Sequence, residues 1–494
     1  MGAQLPKPVV SKDIERFGNE HFTCAVASMN GFRERMEDSH SVDFHPTYGF
    51  FAVFDGHMDP HCSAYLGEHF PKAIEKAKPP LTDEALQELS VDLDCEYLAL
   101  NKESGSTGTY FIANIEKGSA GPTFNVQVGN VGDSRVICCR DGTAIPMTTD
   151  HKPTLDEEKA RIVACGGEVV NGRVDGNLAV SRAYGDKQYK GSAAGPTQQK
   201  VIALPEVTHI KCTANDVMVL SCDGVFEGNF DNDAVVEFVT KQLETCEDLG
   251  DVAARVCDAA LERGSKDNIT CMLVQFKDGT NRCTPHTEFR PGPFNAPTHQ
   301  GFRTAYSAMG EKVNLTLAQQ LQMRYAYLQK TLTQLHRDLG WPEDDKVEDF
   351  STLSEETLRS ILKANKEAFE GVDKPTALRR ITELTASGRP LIPADIKEVR
   401  DELQTYGEGP SEGEDEAAYF EAQVTRMCES SAVAANAGEG DGVGADGATK
   451  IVVDANIFAR LQQLQQHTGG QIPLPLLLGL LQASGNAGAG EGEE

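Results

Sequence analysis

From about residue 20 to 277 the chain breaks short apolar runs with clusters of Gly, Asp and Asn. The runs FTCAVAS, FFAVFDG, GTYFIAN, FNVQVGNVGDSRVICC, VMVLSCDG and NITCMLVQF are rich in β-branched and aromatic residues and read as strands, several of them buried. Between them, PHCSAYLGEHFPKAIEKA, LDEEKARIVACGG and DNDAVVEFVTKQL carry helical patterns. Asp59 is the expected N-cap of the first, with Pro60 following it, and Gly166-Gly167 the expected end of the second. Runs of strands with helices grouped between them predict a layered α+β fold rather than alternating βαβ units.

After residue 277 the texture changes. A Pro-, Thr- and Gly-rich linker (278–312) leads into a helical extension (313–406), where Leu317, Leu321, Tyr325, Leu328 and Leu332 recur at helical spacing and read as core. Residues 407–450 are Gly, Glu, Asp, Ala and Ser; that composition cannot offset chain entropy by burial, so disorder is expected. The last segment, 451–494, is apolar again and could dock on the chain's own core, on a partner or on another copy of the chain. Residues 1–19 read as an N-terminal arm ahead of one domain spanning 20–277.

The 494 residues exceed one ordinary core. A formal net charge of -29 argues against general nucleic-acid binding, which needs a basic face, and suits carboxylates gathered around cations. Thirteen cysteines, without C-x-x-C spacing, suggest a reducing compartment and no structural zinc site. IPLPLLLGLL is about half the ~20 residues a membrane span requires, so no transmembrane segment is expected. Gly2 follows the initiator Met, but Pro6 stands where the myristoylation pattern wants Ser or Thr.

The acids at breaks in the strand-rich region carry the chemistry. Glu37 and Asp38 (GFRERMEDSH), Asp55 (FDGH), Asp133 (VGDSR), Asp223 (CDG) and Asp267 (SKDNIT) each lie at the edge of an apolar run. One such acid is a turn residue, but several strand ends can converge on one site. Convergent carboxylates repel unless protons or cations intervene. Without paired His and Cys nearby, an all-oxygen set selects Mg2+ or Mn2+. A shared pair of such ions could bind a phosphate and make a water nucleophilic near neutral pH. Arg33 could clamp phosphate oxygens through its planar fork, and His57 suits a proton donor to a leaving alkoxide.

In this order the motifs resemble the metal-dependent (type 2C) serine/threonine protein phosphatases. GFRERMEDSH and FFAVFDGH look like that family's first two motifs. GSTGTYFIAN, VGNVGDSR, DHKPTLDEEKARI, GGEVVNGRVDGNLAVSRAYGD, PEV, VLSCDGVFE and SKDNIT follow in register over residues 20 to 277. The resemblance implies two packed antiparallel sheets flanked by helices, an αββα sandwich, here with a C-terminal helical extension. It implies Asp55 bridging two Mg2+ or Mn2+ ions, Glu37 and the Gly56 carbonyl completing one site, and Asp223 and Asp267 the other. Asp38 would hold metal-bound water, Arg33 bind substrate phosphate, His57 act as general acid, and Asn268 orient the Asp267 end. A bridging hydroxide would attack phosphorus in line. A third, weaker metal site would use Asp133 and Glu227, although Glu227 stands where many members have Asp. Met58 and Asp59 replace the family's usual Gly-Gly. SRAYGD, with Arg182 and Asp186, is read as ordering the flap beside the site.

The function expected is hydrolysis of phosphoserine and phosphothreonine in phosphoprotein substrates. The alternative is a silent phosphatase fold acting as a scaffold through its C-terminal region, which is also where a protein partner or self-association is expected. The expected location is the cytoplasm; the nucleus, and membrane attachment through a myristoylated Gly2, are left open.

Overall fold

A computed structural model of the chain describes residues 4–118, 121–191, 193–281, 283–389 and 391–434. Two antiparallel sheets form its centre. One has seven strands, in the spatial order Thr143–Pro146, Arg135–Arg140, Val217–Ser221, Ile269–Phe276, Phe22–Arg33, Gln4–Gly18 and His286–Arg290. The other has five, in the order Glu206–Cys212, Gly121–Val131, Gly108–Gly118, Tyr48–Phe54 and Ser39–Phe44.

Strand periodicity explains the unbroken apolar runs. Along Phe22–Arg33, Phe22, Cys24 and Val26 face the other sheet, while Ala25, Ala27 and Met29 face helices Asn232–Leu243 and Leu249–Glu262. Along Tyr48–Phe54, Phe51 and Val53 point between the sheets, while Phe50, Ala52 and Phe54 pack under helices His61–Ala77 and Asp83–Ala99. Both faces of each strand are covered, so neither alternates with polar residues. Each fully buried Phe adds roughly 1.5–3 kcal/mol. The result is the expected helix–sheet–sheet–helix sandwich.

Several boundaries differ from those read along the chain. Gln4–Gly18 is a full strand paired with Phe22–Arg33, not a loose arm; Leu5 and Val9 are buried, but the charges between them hide the alternation. The 278–312 stretch supplies the edge strand His286–Arg290 and the helix Gln300–Glu311. Its anchors Phe289, Phe294, Phe302 and Tyr306 are too sparse among Pro, Thr and Gly to show a period. Within the acidic stretch expected to be disordered, Glu416–Ala434 is helical, because Tyr419, Phe420, Val424 and Met427 make a narrow apolar stripe. The first helix starts at His61 rather than at Pro60. Proline has no N–H to donate, so Asp59 Oδ1 accepts from the next one, that of His61, at 2.8 Å.

The C-terminal helices belong to the same compact unit as the sandwich, Met1–Ala432. Leu321 and Leu328 of the long helix Leu317–Asp338 pack in a cluster with Val9, Phe289 and Phe302. A second cluster, around Trp341, Leu358, Ile361 and Ile381, is built from the C-terminal helices alone. Among the described residues no helix is long and apolar enough to cross a membrane. Gly2 and the apolar segment 451–494 lie outside the described residues.

Candidate active site

Register explains why distant acids meet. Ser221 sits opposite both Cys271 and Arg135, and Ile269 opposite Met29. The end of Val217–Ser221, the starts of Ile269–Phe276 and Arg135–Arg140, and the end of Phe22–Arg33 therefore share one edge of the seven-stranded sheet. That edge carries Asp223, Asp267, Asp133 and the loop bearing Glu37 and Asp38. From the other sheet, Tyr48–Phe54 delivers Asp55.

The backbone around each acid is held. The Asp55 carbonyl accepts from Thr107 N–H at 2.8 Å and from Ser106 Oγ at 3.1 Å, and its N–H donates to Thr107 Oγ1 at 3.2 Å. The Gly-Ser-Thr strand thus fixes the Asp55 main chain. Gly56 backs onto the Glu37 carbonyl, where a Cβ would lie at 2.3 Å, so a larger residue would push the two acid loops apart. Asn268 accepts the Glu37 N–H at 2.9 Å and donates to the Asn30 and Arg35 carbonyls, tying the Asp267 loop to the Glu37 loop.

The charges are unevenly matched. Burial pushes the Asp55 carboxyl well above the usual carboxylate range, and Asp223, Asp38, Asp267 and Asp133 push it further. Burial does the same to Asp223, reinforced by Asp133 and Asp267 and opposed by Lys152. Asp38 is pushed up to about 6, first by burial; Thr270 Oγ1, which donates to its Oδ2 at 2.7 Å, holds it down. Burial also raises Glu37 against the pull of His57 and Arg33, and raises Asp267 against Arg33. The Arg33 guanidinium lies 2.5 Å from Asp267 Oδ2.

Asp133 pairs with Lys152, so of the two residues assigned to a third metal it already has a cation of its own. Glu227 accepts the Lys266 N–H at 2.7 Å and bonds Ser265, bracing the loop that leads to Asp267. Its charge also reaches Asp223.

His57 is held by a residue assigned above only to the flap. Its Nε2 lies 2.8 Å from Asp186 Oδ2, and Asp186 is fully buried. Gly56–His57, Gly105–Ser106 and Tyr184–Gly185 pair as a small sheet that brings the two together. Gly105 lies under the contact; a Cβ there would meet His57 Nε2 at 2.3 Å. Burial works against the imidazolium, but Asp186 prevails and raises the His57 pKa. Met58 follows with φ +73° and a largely exposed side chain, at a position where glycine costs nothing.

The residues present fit hard divalent cations. The acids are oxygen donors, their buried carboxyls repel one another, and Asp38 Oδ1 is buried without a hydrogen-bond partner. The all-oxygen reading missed one neighbour. One atom each from Asp38, Asp55 and Cys222 lie within 4.8 Å of one another. Asp186, Lys152 and Thr107 were also given no role in the site; their only signal was membership in the motifs SRAYGD, DHKP and GSTG.

Residues 22–269 match the family model described as Protein phosphatase 2C. The chain belongs to the protein phosphatase 2C family. A probable protein phosphatase 2C 5 of Paramecium tetraurelia is 36% identical over 299 residues, covering 56% of this chain and 100% of that relative. Protein phosphatase 1B of Mus musculus is 34% identical over 307 residues, covering 56% of this chain and 76% of the relative. The crystal structure of a phosphatase from a pathogenic strain of Toxoplasma gondii is 29% identical, with a TM-score of 0.52, covering 57% of this chain and all of that one. As a member of this family, the chain is a serine/threonine protein phosphatase.

Proposed function

We propose that this phosphatase hydrolyses phosphoserine and phosphothreonine by direct attack of water, with two Mg2+ or Mn2+ ions held by Asp55, Glu37, the Gly56 carbonyl, Asp223 and Asp267. The observation that supports this most is the set of carboxyls gathered from the two sheets, each driven up by burial and the inner ones by one another. Such a set is stable only with protons or cations among its members. Divalent cations bound there supply positive charge for the phosphate oxygens and lower the pKa of a water.

The chain's own groups do the rest. Asp38, buried beside Asp55, orients the attacking water through its carboxylate. Arg33, beside Asp267, offers its fork to the substrate's phosphate oxygens. As the P–O bond to the serine or threonine breaks, His57 gives its proton to the leaving oxygen. Asp186 acts through His57 as a positioning residue: it orients the ring and keeps it protonated. Asp133 and Glu227 are proposed as a weaker third cation site, which Lys152 opposes. Nothing in the structure favours the silent-scaffold alternative, and every acid of the set is present in the sequence.

The test uses the full chain, because the helices after residue 290 share a core with the first strand. Mn2+-dependent hydrolysis of a phosphothreonine peptide is compared between wild type and Asp223→Asn. Loss of turnover in the variant supports the proposal; equal turnover rejects it.

A further inference from the structure

The loop between strands Phe22–Arg33 and Ser39–Phe44 has Arg33 at its start and Glu37 near its end. Between them lies Met36, a partly buried apolar residue that the mechanism above does not use. Met36 packs against the cluster that the first strand shares with the C-terminal helices, whose members include Leu5, Val9, Phe302 and Leu321. We propose that Met36 is a positioning residue: it anchors the loop of Arg33 and Glu37 to the core of the C-terminal helices, and through it those helices set how firmly the site holds cation and phosphate. The anchor stands on the packing; its effect on ligands rests on the cation reading above.

Three contacts join the loop to that core. Met36 itself is the first. The second is at the start of the loop, where Gln4 is the register partner of Arg33 and the next residue, Leu5, is buried in the same cluster. The third is the beginning of helix Gln300–Glu311. A Cβ on Gly301 would lie 3.1 Å from Glu34 Oε1, and the residue after it, Phe302, is fully buried in the cluster. The loop is therefore braced from two directions. Asn268 ties it to the Asp267 loop through the Glu37 N–H, and the C-terminal helices brace it through Met36.

The physical consequence is one of ordering. Shortening Met36 leaves the Asn268 bond in place, as well as the bond from Asn30 Nδ2 to the Arg33 carbonyl at 2.6 Å. It removes the apolar anchor, so the loop opens locally more often. Glu37 and Arg33 must then be ordered when their ligands bind, and that cost falls on affinity. Once both ligands are seated, the groups that touch the reacting atoms are unchanged, so turnover is spared. The second cluster, around Trp341 and Leu358, contains no residue of this loop. Damage there weakens the helices without loosening the anchor.

The experiment compares the full chain as wild type, Met36→Ala, Met36→Leu and Leu358→Ala. Without metal, amide hydrogen exchange across residues 33–38 is expected to quicken about tenfold in Met36→Ala through local opening. Met36→Leu, which keeps the apolar volume, is expected to restore the wild-type rate, and Leu358→Ala to leave it unchanged. Mn2+ titration is expected to show about tenfold weaker binding in Met36→Ala, the size of a loss from a supporting residue. At saturating Mn2+ a phosphothreonine peptide should show a raised KM with kcat retained. Loop exchange and Mn2+ affinity equal to wild type in Met36→Ala, or altered to the same degree in Leu358→Ala, overturn the proposal. Wild type that binds no Mn2+ while the exchange pattern holds overturns the cation reading and not the anchor. Should Met36→Ala not fold, Met36→Val takes its place with the same pattern at smaller size, and exchange equal to wild type again overturns the proposal.

Discussion

The edge of the sandwich and the C-terminal helices treat charge in opposite ways. Among the helices, Arg324 clamps Glu402 with bonds of 2.8 and 2.7 Å. Arg400 pairs with Asp345, whose other oxygen takes the Trp341 Nε1–H at 2.8 Å. Burial alone would raise the Asp345 carboxyl, but these two donors hold it below its ordinary value. At the sandwich edge, Asp55, Asp223, Asp267, Asp38 and Glu37 are raised instead, although Arg33 and Lys152 stand among them. Matched charges in the helices are architecture. Unmatched buried charges are where a cation and a phosphate belong.

Substitutions can break this contrast, and the largest effect falls on its centre. Asp55→Asn is expected to reduce Mn2+-dependent turnover of any phosphoester to background, read with both a phosphopeptide and p-nitrophenyl phosphate. Next is His57→Ala, which is expected to cut phosphopeptide kcat by roughly 10²–10⁴-fold. With p-nitrophenyl phosphate the loss is much smaller, because nitrophenolate leaves without a proton; equal losses on both substrates would remove His57 from the acid role.

Asp186→Asn is expected to cost about tenfold in kcat and to move the alkaline limb of the pH profile toward acid. The sign follows from the pair. Asp186 raises the His57 pKa, so in the fold the imidazolium persists above its ordinary value near 6.5. The stability it contributes is fully present below about pH 6.5 and is lost as pH rises through the folded value. Without the carboxylate, burial dominates and His57 deprotonates at lower pH. An unmoved limb means that Asp186 is only a structural support.

The smallest effect on catalysis is expected in the helices. Leu358→Ala, in the cluster around Trp341, should lower stability by about 2–5 kcal/mol, read in urea by the fluorescence of this single tryptophan. The kcat of the folded variant should match wild type. A matching drop in kcat would show that the helices' own core is coupled to the site.

Much of the sandwich was legible in the sequence because its strands are covered on both faces, which leaves uninterrupted apolar runs ending in acids. Asp55 and Asp223 stood out for that reason. The edge pieces were not legible. Gln4–Gly18 carries charges between Leu5 and Val9, and Gln300–Glu311 lies in a stretch full of turn residues. Within the site, the contacts between separate motifs were not legible. Asp186 reaches His57 only because three two-residue strands pair, and such short pairings leave no periodicity. Cys222 looked like one more apolar residue in VMVLSCDG, since nothing local marks the carboxylates it faces.

The central claim is that these acids hold two hard cations, and Mn2+ titration calorimetry on the full chain tests it most directly. The account predicts two Mn2+ equivalents in wild type, with protons released as the raised carboxyls ionise, and loss of both in Asp55→Asn. No Mn2+ bound by wild type, or the same two equivalents in Asp55→Asn, would contradict it.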